Sequence, residues 1–193
     1  MLLAVGALAA AEAALLEARV EADLDAPSTL RLAFRDVQLG LRMARDDNTA
    51  ALAVAQVAEA EAARAGHATD AAFHLGVVGV LTADGDAIDT SLDLLGVAGD
   101  RRHAARLLMA GAAVGRDKAV FSAAEQEARA SGDQFLLLDA LYVGGSSAHR
   151  EEARALVQRL MPHIPAAWKA LFRARSVVSW ALPGSTPRSL WSG

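Results

Sequence analysis

The 193-residue sequence predicts an all-α protein of about ten short helices. Three observations carry that prediction. The hydrophobic share is 53% but only 5% of residues are aromatic, and the apolar mass is mostly alanine and leucine, which favour helices over strands. Glycine, proline and Asp/Asn breakers recur at close intervals along the whole chain. Between them, apolar residues follow the i, i+3, i+4, i+7 spacing of a helix buried on one face.

The first helix is legible in MLLAVGALAAAEAALLEARVEA. Its opening has the apolar run of an export signal but no basic residue ahead of it. The pattern runs on through Glu12, Glu17 and Glu21, so an amphipathic helix is expected and export is not. Asp25-Ala26-Pro27-Ser28 ends it, Asp46-Asp47-Asn48 closes the second helix and Gly66-His67 the third. Later breaks fall at Ala83 to Asp86, Gly99-Asp100, Gly115 to Asp117, Gly132-Asp133, Gly144 to Ser147, and Pro162 to Pro165. Thr69, Asp100, Asp133 and Ser147 are placed to accept backbone N–H groups at helix starts, and the fixed φ of Pro165 suits a first turn.

Gly66, Gly99 and Gly132 are separated by 33 and 33, and one more such step lands on Pro165. This spacing marks units at 66–98, 99–131 and 132–164, with a partial unit at 165–182. In that register Ala71, Ala104, Leu137 and Ala170 share one column; Leu75, Leu108, Leu141 and Ala174 a second; Ala87, Val120 and Ala153 a third. The internal loop of the third unit, Gly144 to Ser147, falls earlier than its counterparts at Gly85 and Gly115. A helix pair cannot bury its apolar face alone, so neighbouring units must stack, with Gly76, Gly79, Ala112 and Gly145 available for close approach. The expected architecture is one domain over 1–182, a solenoid of antiparallel helix pairs, followed by a flexible tail over 183–193. A closed α-helical bundle is the alternative.

Leu75-Gly76 in a first helix, small Ala87 and Ala153 in second helices, and Pro165 at a unit's end resemble the tetratricopeptide-type (TPR-like) repeat. The family's aromatic signature is replaced, with Gly79 standing where a tyrosine is expected. Degenerate repeats of this kind are similar to those of bacterial signal-transduction ATPases and LuxR-type large regulators. The resemblance implies a non-catalytic regulatory scaffold that binds a protein or peptide.

The net charge of −4 disfavours a nucleic-acid binder, which needs a basic surface to release phosphate counterions. Residues 1–146 carry 12 Lys+Arg against 21 Asp+Glu and residues 147–193 carry 7 against 2, so charge is polarised along the chain. With no cysteine, disulfides and thiolate chemistry are absent, which suits the cytoplasm. No uncharged run is long enough for a membrane span.

Chemistry-bearing clusters are few, and no cofactor is expected. His67, Asp70 and His74 fall on one helical face, and His103 stands one repeat beyond Asp70, so a helical metal protein or enzyme built on these four is the rival reading. Capping and a solvated helix face account for the same residues. Asp84, Asp86, Asp89 and Asp93 resemble a calcium loop in charge only, because a third ligand position falls on Ile88. Gly144-Gly145-Ser146-Ser147 precedes a helix but lacks the lysine of a phosphate loop. A ligand-sensing pocket would draw on Phe73, Met109, Phe121, Phe135 and Tyr142.

The last helix, PAAWKALFRARSVVSWAL, is basic and amphipathic. Lys169, Arg173 and Arg175 beside Trp168 or Trp180 form the expected partner-binding patch, and a second copy's acidic body is the favoured partner. A C-terminal cap on the stack is the plainer role.

Overall fold

The computed structural model describes residues 8–22, 26–115 and 118–182. Among these the chain forms eleven α-helices and two short 3-10 turns, and no strand. The expected tail 183–193 with Trp191, the first seven residues, and Asp25 and Asp117 of two expected turns lie outside the described residues.

The chain divides into two compact units, Leu8–Asp100 and the residues from Arg101 onward. The first holds α1 (Leu8–Ala22), α2 (Ser28–Met43), α3 (Asn48–Ala65), α4 (Ala68–Thr82) and α5 (Gly85–Ala98), each packed on the next. Its centre is an alanine stripe on α3, where Ala51, Ala55, Ala58 and Ala62 are all fully buried. At that spacing the four methyl groups form one face, small enough to bring neighbouring helices close. Leu32 of α2 packs on Ala58 and Ala62. Close approach recurs at Gly79, where a Cβ would stand 2.9 Å from the Asp84 carbonyl oxygen and 3.0 Å from Ile88 Cγ1. Buried Ser91 of α5 donates its hydroxyl to the Ala72 carbonyl of α4 at 2.5 Å.

The second unit holds α6 (Arg101–Gly115), α7 (Lys118–Ser131), α8 (Gln134–Gly144), α9 (Ser147–Leu160), α10 (Lys169–Ala174) and α11 (Ser176–Ala181). Ala105, Ala128, Leu136 and Ala140 form its core around α6, α7 and α8. The last helix, α11, packs on α8 and α9.

Gly66, Gly99 and Gly132 all end helices with φ of 78°, 71° and 73°, a left-handed conformation that costs glycine nothing. At Gly66 the N–H bonds Ala63 O and that of His67 bonds Ala62 O; Gly99 and Asp100 repeat the pattern on Gly96 and Leu95. The helices that follow begin at Ala68, Arg101 and Gln134, in two steps of 33.

Side-chain register corrects the sequence reading. Ala104 and Leu141 of the first two columns are buried at 8% and 0%, but Leu108 and Leu137 are half-buried and Ala170 and Ala174 exposed, whereas Ala72, Ala105 and Leu138, one place beyond the first column, are buried at 3%, 0% and 0%. Likewise His74, Leu107 and Ala140, one place before the second, are buried at 1%, 0% and 0%. The third column fails for a different reason. Helix α8 has 11 residues where α4 and α6 have 15, which pulls α9 forward by about one turn. Ala153 is therefore the counterpart of Ala124 and Ser91, each the seventh residue of its helix and each fully buried.

Capping differs in detail. Asp133 accepts from the N–H groups of Phe135 and Leu136 as expected, but Ser146 rather than Ser147 caps α9, and Thr69 lies inside α4. Gly145 takes φ 63° to end α8 and is not a helix-packing residue. Pro165 stands just before the 3-10 turn Ala166–Trp168 rather than in a helical first turn.

Candidate interaction surfaces

The four metal candidates are dispersed along two helices, three on or beside α4 and one on α6. His67 occupies the N-cap position of α4 and its Nε2 lies 2.9 Å from the Ser28 hydroxyl. Asp70 sits in the first turn of α4, where a negative charge suits the helix dipole. His74 is 1% exposed, with Nε2 3.3 Å from Asp36 Oδ1 and its ring 5.3 Å from that of Phe73. His103 belongs to α6, in the other unit. Among the described residues, no three His, Asp or Glu side chains gather to hold a metal ion. In the calcium-like run, Asp84 caps α5 by accepting from Ala87 N at 3.2 Å.

The aromatic residues that a ligand pocket would use are packed against other rings. Phe121 lies 6.1 Å from the His149 imidazole, Phe135 6.1 Å from Phe172, and Tyr142 5.5 Å from Trp180, all three edge-on. Met109 packs on the core of the second unit. A groove between α1 and α2 is walled by Leu15, Leu16, Phe34 and Leu41. Its charged groups are paired: Arg45 grips Glu12 through two hydrogen bonds of 2.8 and 2.6 Å, and Arg42 lies 3.3 Å from Asp47.

The predicted final helix is broken in two. Arg175 leaves the helical region at φ −58°, ψ 137° and starts α11. Its Nη2 donates to Asp139 Oδ1 of α8 at 2.6 Å. Beyond the break Val177, Val178, Trp180 and Ala181 are buried. Arg150 and Arg154 of α9 donate to the carbonyls of Trp180 and Ala181 at 2.8 and 3.2 Å, supplying partners that the last turn of α11 lacks. Of the expected basic patch, then, Trp180 is core and Arg175 is an internal tie. Trp168 and Lys169 are half-buried, Arg173 is exposed, and Leu171 beside them is 42% exposed. Phe172 faces inward and is fully buried.

The sequence reading missed a second surface. On α5, Val97 is 92% exposed and Leu94 51% exposed, one helical turn apart. Asp86, Asp89, Thr90 and Asp93 extend the same exposed face toward the N-terminus of the helix. No lysine, arginine or histidine occurs on α5 to offset the three carboxylates. Scattered exposed leucines need no explanation, but paired aliphatics inside an acidic cluster have the composition of a docking strip. The signal available in sequence was the doublet of apolar residues, Leu94 and Val97, lying off the Ser91–Leu95 stripe that enters the core.

No family model matches this chain, and no curated protein or solved structure is significantly similar to it.

Proposed function

We propose that the protein is a non-catalytic helical-repeat scaffold that binds a basic, apolar protein or peptide segment on α5. The observation that carries this reading is the exposure of Val97 and Leu94 among Asp86, Asp89 and Asp93. The apolar pair supplies contact area, and the carboxylates select a cationic partner and speed its encounter. The regular 33-residue spacing of α4, α6 and α8 supports the TPR-like part of the reading, since such repeats are built to present helix faces. The test is selection from a displayed random peptide library on the purified protein, compared with the charge-neutral variant Leu94→Ser with Val97→Ser. Selected peptides should combine Lys or Arg with aliphatic residues, and the variant should bind them at least about tenfold more weakly, roughly 1.4 kcal/mol. Peptides that bind both proteins equally, or no selection at all, would contradict the reading.

A further inference from the structure

We infer that the segment docking on α5 is α10 of a second copy of this chain. The inference rests on the scaffold reading above and deepens it by naming the partner. Helix α10, Lys169–Ala174, is the chemical complement of α5: it carries Lys169 and Arg173 and no acidic residue, and its exposed face adds Leu171, Ala170 and Ala174. Among the described residues, neither Lys169 nor Arg173 is in an ion pair. That distinguishes them from Arg175, which Asp139 holds. Each helix therefore presents like charges around a small aliphatic cluster, and the two clusters are of opposite sign. The polarity of the whole chain has the same direction, acidic before residue 147 and basic after it.

Any copy that presents the α5 face also brings the basic one, at equal concentration and without another protein being required. The contact is small. Helix α5, at 14 residues, is only about 21 Å long, and α10 has 6 residues, so their crossing buries well under the roughly 800 Å² per partner of a stable interface. Association is accordingly weak, concentration-dependent and sensitive to salt, because exposed charges are screened over about 8 Å at physiological ionic strength and about 3 Å at 1 M.

Sedimentation of the full chain tests this with two charge-reversed variants, Asp89→Arg with Asp93→Arg and Lys169→Glu with Arg173→Glu, each checked for wild-type helix content. Wild type should associate at low salt and dissociate at about 1 M. Each variant alone should associate at least about tenfold more weakly, since both of its faces then carry the same sign. Mixing the two variants should restore association, because the basic α5 of one meets the acidic α10 of the other. Wild type that stays monomeric at low salt, a variant that associates like wild type, or a mixture that does not recover would each overturn the inference. If peptide selection still yields α5-dependent ligands, only the second copy is lost as partner; if it yields none, the scaffold reading falls as well.

Discussion

Arg175 of the α10–α11 break donates to Asp139 of α8 at 2.6 Å, and this tie holds the chain where the helical pattern would otherwise run on. Burial raises the Asp139 carboxyl above its ordinary value against the pull of Arg175, so desolvation offsets part of the attraction. Arg175→Ala should cost about 1 kcal/mol in chemical denaturation. Combined with Asp139→Asn, the loss should be less than the sum of the two single losses. Strict additivity would mean that the two side chains do not hold one another.

The burial of adjacent leucines makes a sharper prediction for the core. Leu107 and Leu141 are fully buried, and Leu108 is half-buried. Leu107→Ala and Leu141→Ala should each cost about 2 to 5 kcal/mol, and Leu108→Ala clearly less. A larger loss at Leu108 than at Leu107 would return the core to the register that the sequence columns suggest.

Two helical glycines should respond in opposite ways to alanine. A Cβ on Gly144 would collide with the His149 ring and come within 2.8 Å of Phe121 Cζ, displacing an imidazole whose Nε2 lies 3.2 Å from Glu125 Oε2. Gly144→Ala should destabilise by about 1 to 3 kcal/mol. Around Gly111 nothing lies within 4 Å of the added atom, so Gly111→Ala should stabilise by roughly 0.5 to 1 kcal/mol through helix propensity. Thermal melts of the two variants that shift in the same direction would contradict this.

The turns were legible in sequence because their signal is local. A glycine at each 33-residue step, followed by a polar residue, specifies a left-handed helix end whatever packs on it. The burial register was not, because Ala71 and Ala72 or Leu107 and Leu108 are chemically alike and only the neighbouring helices decide which turns inward. The break at Arg175 was hidden for the same reason: the apolar stripe of 168–180 is continuous, and Asp139, which ties the break, lies 36 residues away. Leu94 and Val97 fit a core stripe as well as a docking strip until the helices beside α5 are known.

Acid should weaken the α7–α9 contact. Hydrogen bonds from Arg129 hold the Glu152 carboxyl below its ordinary value of 4.5, while Arg129 itself is pushed up by Glu152 and Glu125. A carboxyl whose folded pKa is depressed contributes stability that is present above its unfolded pKa and lost as pH falls through the folded one. Stability should therefore decline below about pH 4.5, and Glu152→Gln should make that decline shallower. Parallel curves for variant and wild type from neutral pH to acid would mean that Glu152 does not contribute to the acid sensitivity.

That α5 is the binding face and α10 what it binds is tested most directly by backbone amide shifts recorded as the labelled protein is diluted at low salt. Residues Asp86 to Val97 and Lys169 to Ala174 should move together with concentration and stop moving at high salt. Shifts that do not change with concentration, or that map instead to the α1–α2 groove around Phe34 and Arg45, would contradict it.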